Sequence, residues 1–157
     1  MLRFINYNIV FQEIPGEVTL AINISGCPHR CKGCHSPYLW ENTGETLDEN
    51  AIAGLLEKYG NAITCICFMG GDSNPQRVAE LAEFSRKETN GKIKTGWYSG
   101  RASLPEISFK QYFDYIKLGP YVESLGGLDS DTTNQRFYRI ENEKMKDLTS
   151  SFRKHRF

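Results

Sequence analysis

Three cysteines, Cys27, Cys31 and Cys34, fall in one short segment with the spacing C-x3-C-x2-C. A loop that short can fold round a single point and aim three thiolates at it. Gly26 and Gly33 permit backbone turns that a Cβ would hinder, and Pro28 fixes one φ angle between them. Soft thiolates select zinc, copper(I) or iron–sulfur clusters. Three ligands leave one metal position open, and an open position goes with chemistry more often than with structure. The competing reading is a structural zinc site with His29 or His35 as fourth ligand. Structural zinc loops usually bring ligands in two separated pairs, and no second pair at such spacing follows here. Cys65 and Cys67 also form a C-x-C pair. They stand inside an apolar run and read as small fillers of a buried strand. Gly70-Gly71-Asp72 follows that run directly. Two glycines let the backbone approach a ligand closely, and a carboxylate can pair with an ammonium. Taken alone, such a triplet is equally any strand-to-helix turn.

Several elements must position these residues. Val18, Leu20, Ile22 and Ile24 alternate along Val18 to Ser25, which predicts a strand that delivers the cysteine loop at its C-terminal end. Ligand sites of α/β folds sit at that end of the strands. Residues 2–14 mix apolar and polar positions and end at the turn signal Pro15-Gly16, so they read as an irregular or edge-strand arm. Thr46-Leu47-Asp48-Glu49 fits a capping box. Ile52, Leu55, Leu56 and Tyr59 then recur at helical spacing, with Gly60 as a C′ residue. Ile63 to Met69 reads as a buried parallel strand. Pro75 to Lys87 reads as a second helix, with Val78, Leu81 and Ala82 inward. Strands are expected over Lys92 to Tyr98 and Tyr112 to Leu118, a short helix near Phe109 to Tyr112, and a last short strand over Phe137 to Ile140. Glu123 to Gln135 is a loop rich in Gly, Asp, Ser and Thr. Strand–helix alternation predicts a parallel sheet with right-handed crossovers. The units are too few for a closed eight-fold barrel. The expected fold is therefore α/β: an open, partial (β/α) barrel with a mostly parallel sheet.

Length and composition set outer bounds. A chain of 157 residues suggests one domain with a real core, here residues 1–157, with the core at about 18–140 and a charged C-terminal tail at 141–157 that is solvated and either helical or frayed. Nineteen basic residues balance nineteen acidic ones, so nothing calls for nucleic acid or an anionic membrane as partner. The N-terminal residues show no sustained apolar run of the secretory kind, and no apolar stretch is long enough to span a bilayer. Five cysteines, an odd number and clustered, point to a reducing cytoplasm.

The cysteine loop after a short apolar strand resembles the radical S-adenosylmethionine (SAM) enzymes. The longer match, Gly26-Cys27-Pro28-His29-Arg30-Cys31-Lys32-Gly33-Cys34-His35 with Trp40, is similar to the activating components of anaerobic ribonucleotide reductases. So are Gly70-Gly71-Asp72, Trp97-Tyr98-Ser99-Gly100, Gly119-Pro120-Tyr121 and Thr133-Asn134-Gln135-Arg136. The resemblance implies a radical SAM fold. It implies that Cys27, Cys31 and Cys34 hold a [4Fe–4S] cluster whose fourth iron binds SAM, and that Gly70, Gly71 and Asp72 hold the amino group of SAM. Most of the superfamily has an aromatic residue where this chain has Gly33. The subgroup shares the glycine, which implies that Gly33, Cys34 and the His35 ring border the adenine. Ser99 and Lys117, at strand ends facing the same cavity, are further SAM-contact candidates. Asn134, Gln135 and Arg136 match the subgroup without an evident role toward SAM. The implied activity is reductive cleavage of SAM and formation of a glycyl radical on the large subunit of the anaerobic reductase. An external one-electron donor such as flavodoxin or ferredoxin would supply the electron. Two alternatives stand beside it: another small radical SAM enzyme, or a non-catalytic metal-binding module.

Overall fold

The computed structural model describes residues 2–27 and 43–155, with side chains through residue 152. Among the described residues eight strands form one sheet. They are β1 (Arg3–Val10), β2 (Thr19–Ile24), β3 (Glu45–Thr46), β4 (Cys65–Met69), β5 (Lys94–Tyr98), β6 (Tyr115–Leu118), β7 (Arg136–Glu141) and β8 (Lys144–Asp147). Helix α1 (Glu49–Tyr59) precedes β4 and α2 (Pro75–Glu88) precedes β5. Two 3-10 helices, Ile107–Tyr112 and Thr149–His155, are the other helical elements among the described residues.

The sheet order is β3-β1-β2-β4-β5-β6-β7-β8. The expected mostly parallel partial barrel is not what forms. Only β2–β4, β4–β5 and β5–β6 pair in parallel, whereas β1–β2, β1–β3, β6–β7 and β7–β8 are antiparallel. The reason lies in the connections. Parallel neighbours need a crossover of a dozen or more residues, usually a helix. Helices α1 and α2 supply two, and the segment with the first 3-10 helix supplies the third. No α-helix follows β6 among the described residues, and there the chain returns antiparallel. The result is a mixed eight-stranded sheet with few helices, in which three parallel pairings sit between antiparallel flanks.

The helices form where the sequence places their caps. The Asp48 carboxylate accepts from Ala51 N at 2.9 Å and starts α1. Thr46, the expected cap, is instead paired with Arg3 in β3. Asn74 accepts from Arg77 N at 3.2 Å and Pro75 opens α2. The helices bury Ile52, Leu55, Val78, Leu81 and Ala82 against Leu20, Ile22, Ile24, Ile66, Phe68 and Trp97.

The opposite face carries a second, smaller core of Ile14, Cys65, Cys67, Tyr115 and Phe137. A Cβ on Gly96 would come within 2.8 Å of Ile14 Cδ1. The missing side chain thus lets the segment between β1 and β2 lie directly on β5. Leu148 and Phe152 pack against the same cluster, with the Phe137 and Phe152 rings 5.1 Å apart. The segment expected as a solvated tail therefore adds β8 and a 3-10 helix. At the N-terminal edge of the parallel strands, buried Glu17 accepts from Lys94 Nζ at 2.8 Å, Tyr115 Oη at 2.6 Å and Thr64 Oγ1 at 2.7 Å. Burial pushes its carboxyl up, but these three donors outweigh burial and hold it below the usual value.

Candidate functional site at the carboxyl edge of the parallel strands

Strand register decides which side chains share the C-terminal end of the sheet. Asn6 pairs with Asn23, Asn23 with Met69, Met69 with Tyr98, Tyr98 with Lys117, and Lys117 with Phe137. One row thus crosses five neighbouring pairs on the face away from the helices. Just beyond it the chain leaves β2 toward Cys27, β4 toward Gly70–Asp72, β5 toward Ser99 and β6 toward Gly119.

The exit from β4 is tightly fixed. Gly70 and Gly71 have φ of 107° and 88°, values that L side chains adopt only with strain. Gly70 N donates to Tyr98 O at 2.9 Å, and Trp97 Nε1 donates to Gly70 O at 2.7 Å. A Cβ on Gly71 would collide with Val78 Cγ2 of α2. This turn sets Asp72, which is buried, against the end of β5. Ser99 Oγ donates to Asp72 Oδ1 at 2.5 Å and Gly100 N to Oδ2 at 2.8 Å. Ser99 Oγ in turn accepts from Arg101 N at 3.0 Å. Lys117 Nζ donates to Ser99 O at 3.0 Å and to Gly119 O at 3.1 Å, and lies 5.7 Å from the centre of the Tyr98 ring. Gln135 Nε2 donates to the same Gly119 carbonyl at 3.4 Å, and Asn134 Nδ2 to Pro120 O at 3.1 Å. The Thr-Asn-Gln segment therefore caps the Gly119-Pro120 turn.

Of the residues singled out in the sequence, Gly70, Gly71, Asp72, Ser99 and Lys117 are brought into one knot. Ser99 is fully buried, with its hydroxyl bound to Asp72 and to Arg101 N, so it orients the carboxylate. Cys27 is half-buried, with its thiol free, three residues beyond β2. Cys31, Gly33, Cys34 and His35 lie outside the described residues. Two residues carried no signal in the sequence. Asn23 Nδ2 donates to Asn6 Oδ1 at 2.6 Å, which places an amide pair beside Met69 on the outward face of β2. Alternation marked only the apolar face of that strand. A cleft of 410 Å³ opens on the same sheet face between Phe11, Glu13, Leu128, Asp129 and Phe152. It shares only Tyr98 with the row and is not the cavity of the Asp72 knot.

Cys65 and Cys67 are fully buried, and burial pushes both thiols up, far from thiolate. Protonated, enclosed thiols are poor ligands. Among the described residues no group of three or more His, Cys, Asp or Glu can hold a metal ion. Among the cysteines of the described residues only Cys27, three residues beyond β2, is partly exposed. Three soft thiolates at the spacing of Cys27, Cys31 and Cys34 would suit an iron–sulfur cluster.

The described residues give a mixed-sheet protein with Cys27 just beyond β2, and the family match makes it an iron–sulfur protein. Residues 15–125 match the family described as a 4Fe-4S single cluster domain, and the chain belongs to that family. No curated protein and no solved structure matches it. No helix among the described residues is long and apolar enough to cross a membrane.

Proposed function

We propose that this chain is a radical SAM activase. On this reading a [4Fe–4S] cluster on Cys27, Cys31 and Cys34 serves to cleave SAM and to install a glycyl radical on the large subunit of an anaerobic ribonucleotide reductase. The observation that carries the proposal is the convergence of Gly70–Asp72, Ser99 and Lys117 at one sheet edge, next to the strand that leads into the cysteine loop. Cys27, Cys31 and Cys34 would hold the cluster, which when bound would supply the one-electron reduction for SAM cleavage and so the means to take hydrogen from a glycine Cα of the partner. The protein's part is binding and orientation. Gly70 and Gly71 bring backbone close to a ligand. Asp72, held by Ser99 and Gly100, offers a fixed negative charge to the ammonium of SAM. Lys117 braces the ends of β5 and β6 through the carbonyls of Ser99 and Gly119. Gly33, Cys34 and His35 border the adenine. The electron comes from a small donor such as flavodoxin or ferredoxin, and the reaction belongs in a reducing cytoplasm.

The test is anaerobic reconstitution followed by incubation with SAM and reductant, with and without the large reductase subunit. Methionine and 5′-deoxyadenosine report cleavage, and electron paramagnetic resonance reports the glycyl radical. The expected outcome is slow cleavage alone and a radical only with the partner. Efficient modification of a small metabolite without a protein partner would point to a different radical SAM enzyme. A stable cluster with no SAM cleavage would leave a single-cluster binding module.

A further inference from the structure

The two stems of the cysteine loop meet at one buried hydroxyl. Ser25 is 2% exposed. Its Oγ donates to Thr43 O at 2.5 Å and accepts from Thr43 N at 3.2 Å. One side chain thus satisfies both backbone groups of the residue that closes the segment opened at Gly26. Ser25 N donates to Arg3 O at 2.9 Å, which fixes the outgoing stem to β1. The returning stem is fixed to β1 as well, since Arg3 Nη1 donates to Gly44 O at 3.1 Å. Gly44 has φ of 102°, and a Cβ there would collide with Phe4 O. Both stems are therefore stitched to the same strand, with Ser25 as the tie between them.

We propose that Ser25 is a positioning residue for the cluster. Bringing the ends of a loop together has an entropic cost. A tie made on folding meets that cost before iron arrives, so the segment that carries the three cysteines starts with its two ends already joined. Groups that orient metal ligands without touching the metal usually change metal affinity by about ten- to a hundred-fold. The inference rests on assigning the cluster to Cys27, Cys31 and Cys34. It does not depend on SAM chemistry.

The experiment compares anaerobically reconstituted wild type, Ser25→Ala, Ser25→Thr and Arg3→Ala. Iron and sulfide content is measured first. Each protein is then mixed with excess iron chelator, and loss of the cluster's visible absorbance is followed alongside thermal unfolding of the iron-free forms. Ser25→Ala is expected to lose iron about ten-fold faster than wild type. Ser25→Thr, which keeps the hydroxyl, should stay near the wild-type rate, and Arg3→Ala should fall between. The iron-free forms should melt close together. Wild-type rates in Ser25→Ala would overturn the inference. So would iron loss that merely tracks the unfolding of the iron-free chain. Should Ser25→Ala fail to fold, Arg3→Ala carries the test, and a wild-type rate there is equally fatal. A wild-type protein that holds no cluster defeats the ligand assignment itself, which separates that failure from this one.

Discussion

Asp72→Asn separates the two duties that the structure gives one carboxylate. The side chain is 8% exposed and receives Ser99 Oγ at 2.5 Å and Gly100 N at 2.8 Å. Asparagine has nearly the same shape. Its remaining oxygen can still accept from Gly100, while its amide can donate to Ser99 Oγ. The turn is therefore expected to survive, losing the acceptor of the Ser99 hydroxyl hydrogen and the charge assistance in these two bonds. That is about 0.5–1.5 kcal/mol apiece, from the difference between charged and neutral hydrogen bonds. A SAM ammonium loses its counter-charge altogether, which weakens binding by about 1.5–3 kcal/mol, or roughly ten- to a hundred-fold in Kd. The assay is calorimetric titration of SAM into cluster-loaded protein, with iron content and melting temperature as controls. Ser99→Ala should weaken SAM by roughly two- to ten-fold, because it removes an orienting donor and keeps the charge. Unchanged SAM affinity in Asp72→Asn, with cluster and fold intact, would refute the reasoning and leave Asp72 a brace between β4 and β5.

Two further outcomes are expected. Alanine at Cys27, Cys31 or Cys34 should abolish cluster binding, whereas Cys65→Ala and Cys67→Ala should keep it; a Cys31→Ala protein with full iron and sulfide content would break the ligand set. Glu17→Gln should lower stability by about 1–3 kcal/mol in chemical denaturation, because a buried acceptor of three donors loses its charge. The Glu17 carboxyl sits below its usual value when folded. Its contribution is therefore present above the ordinary carboxylate range, near pH 4.3, and lost as pH falls through the folded value. The acid limb of the stability curve should flatten in the variant.

The elements with a strong apolar period were legible from residue types alone. Ile52 and Leu55 marked α1, Val78 and Leu81 marked α2, and the run through Phe68 marked β4. Strand direction was not legible, because an apolar run has the same period whichever way its neighbour points. Only the lack of a helix after β6 carried the antiparallel return, and that segment read simply as loop. β8, Lys-Met-Lys-Asp, is an exposed edge with no alternation to detect. β3 is two residues long and exists through its pairing with Arg3 and Phe4. In the site, the cysteine spacing and Gly70-Gly71-Asp72 were visible because their residues are neighbours in sequence. The contact of Asp72 with Ser99 spans 27 positions and exists only because β4 and β5 lie side by side. The Asn6–Asn23 pair, across β1 and β2, was hidden for the same reason.

The second core gives the protein an order of assembly during translation. The helix-bearing core draws on residues from Leu2 to Leu118, with partly buried additions from β7 and β8. The knot of Asp72, Ser99 and Lys117 has all its side chains once residue 117 has been made. The opposite face waits longer, because Phe137 lies in β7 and its ring partner Phe152 in the final 3-10 helix. Chains emerge N-terminus first. A ribosome-bound intermediate therefore has the cysteine loop and the carboxylate turn in hand while Cys65, Cys67 and Tyr115 still lack their Phe137 cover. In that interval the face that buries Cys65 and Cys67 has Ile14 and Tyr115 but still lacks Phe137 and Phe152 from its cover.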